Sequence, residues 1–230
     1  VAKKPPFKGK FEWAIDYYKS MAKKLNITMK LGKEVTAQEV LALKPYSILV
    51  ATGSNVISIP LEGLDQVQTV QAHDVLANDM QFANKKVVVI GGGITGLETA
   101  LYINRQGTNQ VSVVDMLPEW PVDMLDMRYQ NEALLEVRHC NDQGVALFYN
   151  NKVVKFADGK LFIESTKDGE VKELPADVIV LSVGVKPNDA LWQELLASGH
   201  PSVWKAGDAI ATGKINKAVL HGSKFGYSLN

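Results

Sequence analysis

Apolar residues are spaced in three ways along the chain, and each spacing predicts a different kind of element. Phe11, Ile15, Tyr18, Ala22 and Leu25 recur at helical intervals with lysines between them, which predicts an amphipathic helix over 12–25, lysines outward, stopped by Asn26. ITMKL from Ile27 reads as a short strand, and in KEVTAQEVLALKP Thr36 is the N-cap of a short helix that Pro45 ends. SILVATG from Ser47 and the run from Val178 into Gly184 are nearly unbroken apolar segments, the signature of strands buried on both faces of a parallel sheet. Between them lie a loop from Ser54 to Gln68, a short helix around His73 to Ala77 and the polar stretch Asn78 to Lys86.

KKVVVIGGGITGLETALYINRQGTNQVSVVD then fits strand, glycine turn, helix and strand into about thirty residues, the length of a βαβ unit. Gly107 stands where a helix ends in a left-handed residue. A helix is predicted over roughly 126–141. After it, VALFYNNKVVKFADGKLFIESTKDGEVKEL alternates apolar and polar residues and is punctuated by Asn150-Asn151, Asp158-Gly159 and Asp168-Gly169, which predicts an antiparallel meander. A helix near Ala190 to Leu196 and a last strand in PSVWKAGDA complete an α/β fold of Rossmann-like parallel sheets with a β-meander. SILVATGSNVISIP and VIVLSVGVKPN echo one another, both being apolar strands that run into glycine and then proline, which hints at two similar nucleotide domains.

The glycines carry the candidate chemistry. Gly91, Gly93 and Gly96 directly follow the strand Val87 to Ile90 and open a helix. In that context the first permits a tight turn, the second lets backbone approach a pyrophosphate, and the third lets the helix lie against the strand. The helix start adds free N–H groups and positive partial charge. Asp115 ends the second strand, nineteen residues beyond Gly96, where a carboxylate hydrogen-bonds adenosine ribose hydroxyls. A 2′-phosphate there would meet like charge, and the following MLPEWPVDM supplies no Arg, Lys or His, so NADH is favoured over NADPH.

Composition narrows the classes. The chain has 230 residues, 46% hydrophobic and 22% charged, which is ordinary for one large or two small globular domains. Lys plus Arg and Asp plus Glu both total 25, so no nucleic-acid partner is indicated. Its one cysteine, Cys140, forms no intrachain disulfide or dithiol pair and by itself holds no metal or iron–sulfur cluster. No apolar run reaches the roughly 20 residues of a membrane span, and the chain reads as soluble and cytoplasmic. It opens at Val1 with the polar VAKKPPFKGK, without predicted structure, which suggests a fragment or processed chain.

ATGS at 51–54, GGGITGLETA at 91–100, LSVGVKPN at 181–188 and AGDA at 206–209, together with the opening KPPFKGKFEWAIDYYKSMAKKLNITMKLGKEVT, resemble the C-terminal reductase part of the NADH:flavin oxidoreductases that include 2,4-dienoyl-CoA reductase, 2-enoate reductase and trimethylamine dehydrogenase. The resemblance covers essentially the whole chain. It implies an NAD-type domain at 84–197 inserted into a truncated FAD-type domain formed by 1–83 and 198–230. It implies that Gly91, Gly93, Ile94, Thr95, Gly96 and Asp115 hold NADH, with Gly184 in the loop closing that site and Glu98 directed towards nicotinamide and flavin. Thr52 and Gly53 would line the FAD side, and Gly207 and Asp208 would contact the FAD phosphate and ribityl chain. In that family electrons pass from NADH through FAD and an iron–sulfur cluster to a barrel-bound FMN.

The family's first FAD-binding βαβ, its barrel and its cluster cysteines are absent from this sequence, so flavin affinity is expected to be weak and turnover to require the missing N-terminal part. Two other readings stand beside this one: a component of another two-domain flavin reductase, such as a ferredoxin or nitrite reductase, and a non-catalytic module that holds an adenine nucleotide. A short-chain dehydrogenase is excluded, because none of the seven tyrosines has a lysine four positions later. His139 beside Cys140 is read as structural, and His73, His200 and His221 lack metal-ligand spacing. Met116, Met124 and Met127 read as packing or a partner surface, and Trp120 and Trp192 as buried or interface anchors. The final electron acceptor and the oligomeric state stay open.

Overall fold

The computed structural model describes residues 1–118 and 127–229, with no side chains described at 127–130. Its elements run α1 (Phe11–Lys24), α2 (Ala37–Ala42), β1 (Ile48–Val50), β2 (Ser54–Val56), β3 (Gln68–Gln71), α3 (Ala72–Ala77), β4 (Lys86–Ile90), α4 (Ile94–Asn104), β5 (Gln110–Val114) and α5 (Met127–Asp142). They continue with β6 (Ala146–Phe148), β7 (Asn151–Ala157), β8 (Lys160–Ser165), β9 (Val171–Pro175), β10 (Val178–Leu181), β11 (Val185–Pro187), α6 (Ala190–Ala197), β12 (Val203–Lys205) and α7 (Ile215–Ser228). None of the described helices is long and apolar enough to cross a membrane.

The chain divides into two compact units, Val1–Leu25 with Ser58–Val183 and Asn26–Ile57 with Gly184–Asn230. The crossings fall at 25/26, 57/58 and 183/184, whereas the expected domain bounds lie at 83/84 and 197/198. The reason lies in packing: β3 pairs in parallel with β10, and Ala72 and Val75 of α3 enter the same core as β4. Leu195 of α6, conversely, packs with Ile48 and Val50 of the second unit.

The first unit is built on a parallel sheet of order β3-β10-β4-β5-β6. Val87 and Val89, Val111 and Val113, and Val178 and Val180 turn to one face, where they pack with Leu97 and Leu101 of α4 and Val137 and Cys140 of α5. Val88, Ile90, Val114, Ile179 and Leu181 turn to the other, against Phe156, Leu161 and Ile163 of the meander. Two covered faces call for apolar side chains at successive positions, which is why β4 and β10 read as nearly unbroken runs.

The meander is β7-β8-β9, and Asp158 and Gly159, at φ +51° and +73°, make the two-residue turn between β7 and β8. The first strand expected in it belongs elsewhere: β6 joins β5 in parallel, Val113 opposite Leu147, and Asn150-Asn151 leads from that sheet into the meander. β3 escapes the periodicity because it is a short edge strand of composition QTVQ, paired on one side only.

The polar opening has neither helix nor strand, yet it docks on the first unit. Lys4 pairs with Asp79, and Phe7 lies between the Arg105 guanidinium, 4.3 Å from its ring centroid, and the His139 ring at 4.7 Å. α1 forms as its spacing predicts, but Phe11, Ile15, Tyr18 and Leu25 remain exposed.

In the second unit β1 and β12 pair in parallel, Ile48 opposite Val203, beneath α2 and α6. Thr36 caps α2 in a reciprocal box, its Oγ1 accepting from the Glu39 N–H at 3.3 Å while Glu39 Oε2 accepts from the Thr36 N–H at 3.0 Å. The two echoing segments meet here, since β2 and β11 form an antiparallel ribbon with Val56 opposite Val185. ITMKL is irregular rather than a strand; Ile27, Met29 and Leu31 are exposed and no described strand pairs with them. α7 is an additional helix, with Ile215, Val219 and Leu220 exposed along it.

Candidate functional site

The C-terminal end of β4 and the start of α4 are shaped by what glycine lacks. The Gly91 N–H donates to the Val114 carbonyl at 2.8 Å, extending the β4–β5 ladder by one rung before the chain turns at φ +108°. A Cβ at Gly91 would overlap the Ser182 carbonyl, 2.7 Å from its carbon, and one at Gly96 would overlap the Gly91 carbonyl oxygen. Gly93 differs from both: it is exposed, and a Cβ there meets nothing within 4 Å. It is the N-cap of α4 without a side-chain cap, so the first turn keeps N–H groups that no capping side chain occupies. Ile94 is half-buried and Thr95 exposed in that turn, the Thr95 carbonyl accepting from Thr99 Oγ1 at 2.7 Å.

Asp115 leaves the end of β5 beside this loop. Its Oδ2 accepts from the Gly92 N–H at 2.6 Å and its Oδ1 from the Leu117 N–H at 2.8 Å. Each oxygen retains a lone pair for a ligand hydroxyl. Gly92, the unspecified residue of the glycine pattern, is thereby drawn into the site; the sequence reading passed over it.

Glu98 sits one turn into α4 and is buried, 8% exposed. Lys8 of the opening segment pairs with it and reaches Glu132 Oε1 at 2.8 Å. Burial pushes the Glu98 carboxyl up and Lys8 pulls it down, with Glu136 and Glu132 adding to the upward push; the net shift is upward. The Lys8 ammonium is also raised: burial opposes its charge, but hydrogen bonds to Glu132 and Glu98 outweigh it. Nothing in the sequence pointed to Lys8, because the pair spans ninety positions.

Cys140 is fully buried behind α4, its Sγ 3.8 Å from the Leu97 carbonyl, and burial together with Glu136 pushes its thiol up to about 12. A thiol so protonated and covered is inert. Iodoacetamide at pH 8 is expected to leave Cys140 unmodified until the protein unfolds, and rapid labelling of the native chain would contradict this placement.

The remaining candidates gather in the second unit. The Thr52 hydroxyl donates to the Asn188 carbonyl, and the Asn188 N–H returns to the Gly53 carbonyl at 3.0 Å. Ser54 Oγ lies 3.4 Å from Asp208 Oδ2, while Asp208 Oδ1 accepts from the Gly213 N–H at 3.0 Å. The Gly207 N–H donates to His221 Nδ1 at 3.1 Å, a contact the sequence did not announce. Gly184 belongs to this unit, its carbonyl accepting from the Ile57 N–H at 3.1 Å, and not to the unit that carries the glycine loop.

His200 is held between the Pro45 carbonyl and the Ser202 N–H, and His73 lies near Asp74. Among the described residues no three His, Cys, Asp or Glu side chains are grouped to hold a metal ion. Trp192 carries the Lys205 ammonium 4.2 Å above its ring. Trp120, Met124 and the Met127 side chain lie outside the described residues.

Residues 11–220 match the family described as pyridine nucleotide-disulphide oxidoreductase. The chain is 32% identical to a bilirubin reductase of Mediterraneibacter gnavus over 82% of this chain and 28% of that protein. It is 29% identical to an NADH oxidase of Thermoanaerobacter brockii over 100% of this chain and 35% of that protein. The solved structure of 2-naphthoyl-CoA reductase with 2-naphthoyl-CoA superposes at a TM-score of 0.86 with 27% identity, covering 98% of this chain and 33% of that one. The chain thus spans about a third of the length of the proteins it matches.

Proposed function

Because the chain belongs to the pyridine nucleotide-disulphide oxidoreductase family, we propose that it is the nucleotide-binding reductase portion of an NADH-dependent flavin oxidoreductase of the enoate and 2,4-dienoyl-CoA reductase type. In this reading Gly91, Gly93, Ile94, Thr95, Gly96 and Asp115 hold NADH, and Thr52, Gly53, Gly207 and Asp208 face FAD. When bound, NADH would supply a hydride and FAD would be its acceptor. The chain's own residues do the rest. The start of α4 sets N–H groups and positive partial charge against a pyrophosphate, and Asp115 accepts from ribose hydroxyls while repelling a 2′-phosphate.

The observation that carries the reading is the open space at Gly93 over an uncapped helix start, beside a carboxylate fixed by Gly92. The names bilirubin reductase and 2-naphthoyl-CoA reductase support a conjugated acceptor for the whole protein. The second unit fits part of FAD, through Asp208 and Thr52, but the chain has no second strand–glycine–helix fingerprint for a flavin pyrophosphate. FAD is therefore held weakly by these residues alone, and this chain by itself does not turn over. An iron–sulfur cluster finds no ligand set in this sequence, whose one cysteine is buried in the core.

Calorimetric titration with NADH, NADPH and ADP tests the reading. NADH is expected to bind more tightly than NADPH, and Asp115→Ala to narrow that preference about tenfold, the worth of about 1.4 kcal/mol. An unchanged preference would remove Asp115 from the site. ADP binding as tight as NADH would mark the alternative, a holder of adenine nucleotide without hydride transfer.

A further inference from the structure

We propose that Tyr149 is a positioning residue for Asp115, and that through it the turn after β6 sets the choice between the two nicotinamide dinucleotides. The proposal rests on the reading that the glycine loop and Asp115 hold NADH. Three backbone hydrogen bonds join the two segments. The Asp115 N–H donates to the Phe148 carbonyl at 3.0 Å, the Asn151 N–H to the Asp115 carbonyl at 2.9 Å, and the Asn150 N–H to the Leu117 carbonyl at 2.9 Å. Asn151 is 8% exposed, and its Nδ2 donates to the Tyr149 carbonyl at 2.7 Å, so the backbone that carries the tyrosine is itself held.

The Tyr149 ring leans on the core that also receives α4, and its Cε1 lies 3.0 Å from where a Cβ of Gly92 would stand; Asp115 Cβ lies 3.1 Å from the same point. Gly92 is therefore enclosed between ring and aspartate. Its N–H is the donor that fixes Asp115 Oδ2. The chain of cause runs from ring to glycine peptide to carboxylate. Discrimination against a 2′-phosphate depends on the distance between two negative charges, so it needs a carboxylate that stays in place. Without the ring the Gly92 peptide gains room and the carboxylate its freedom to swing away from an incoming phosphate.

The test is the ratio of NADPH to NADH dissociation constants for the full chain, with thermal unfolding measured on each variant. Tyr149→Ala is expected to lower the ratio about tenfold, towards that of Asp115→Ala, and Tyr149→Phe, which keeps the ring, to restore it. Gly92→Ala approaches the same contact from the other side. The Gly92 backbone lies outside the left-handed region, so alanine there tests space alone and is expected to lower the ratio as well. A scaffolding role would weaken both dinucleotides together and leave the ratio intact, and that result overturns the proposal. If Tyr149→Ala does not fold, an unchanged ratio in Gly92→Ala overturns it equally. A wild-type chain that binds neither dinucleotide brings down the underlying reading as well, whereas a wild-type preference that survives Tyr149→Ala brings down this inference only.

Discussion

Gly96→Ala is expected to lose about 3 kcal/mol or more of stability and all nucleotide binding, whereas Gly93→Ala is expected to leave stability unchanged and weaken NADH about tenfold or more. The two glycines lie three residues apart and fail for opposite reasons. At Gly96 a methyl group overlaps the Gly91 carbonyl oxygen, 3.1 Å from its carbon, and stands 3.3 Å from Ser182 Oγ. Backbone on the far side of that contact cannot rotate away as a side chain would. Relief requires α4 to withdraw from β4, and Leu97 and Leu101 sit in the core between them. At Gly93 the backbone has φ −67° and ψ 172°, which any residue adopts, and the added methyl meets no protein atom within 4 Å. It enters only open space, which a pyrophosphate takes in the proposed reading. Chemical denaturation and NADH titration of both variants separate the effects, and equal NADH affinity of Gly93→Ala and wild type would remove the phosphate from the loop.

Lys8→Met is expected to cost about 2 kcal/mol at pH 7.5, below the range for breaking a fully buried pair because the Lys8 and Glu132 side chains keep some contact with solvent. Their side-chain exposures are 19% and 32%, against 10% for Glu98. The loss should depend on pH with a definite sign. Glu98 titrates above its ordinary value in the fold, chiefly through burial, so its contribution to stability is present below the unfolded value and is lost as pH rises through the folded one. Lys8 opposes that loss by holding the ionised carboxylate. Without it the Glu98 value climbs further, the penalty on the ionised form grows, and acidification relieves it by protonation.

The gap between wild type and Lys8→Met should therefore narrow as pH falls through the Glu98 value. The second substitution Glu98→Gln should recover much of the loss at neutral pH. On the alkaline side, the contribution of the raised Lys8 ammonium is full below its ordinary value of 10.5 and is lost as pH rises through its higher folded value. A difference in unfolding free energy that stays constant from pH 5 to pH 8 would show that the pair is not what couples the opening segment to α4.

The strand–glycine–helix at 86–104 was legible because its determinants are local. Four apolar residues, three glycines at fixed spacing and the helix behind them are constrained by sterics within a dozen positions, and no distant contact revises them. The same holds for Thr36 with Glu39 and for the turn at Asp158-Gly159, where a side chain three residues away or a left-handed pair settles the conformation.

Where partners lie far off in sequence, the pattern misled or was silent. ITMKL has strand composition but no neighbour to pair with, and QTVQ has little apolar character yet becomes β3 because β10, more than a hundred residues later, offers its edge. β6 alternates like a meander strand and is captured in parallel by β5. The candidate site divides in the same way. Gly91, Gly93, Gly96 and Asp115 could be named from spacing, whereas Gly92 and Tyr149 around Asp115, Lys8 on Glu98, and His221 on Gly207 arise only where the folded chain brings separate segments together. Local sterics and hydrophobic period act within one segment and are written in its residues. Strand partnership and charge compensation are decided by which segments meet, once burial has offset the entropy of closing the chain between them.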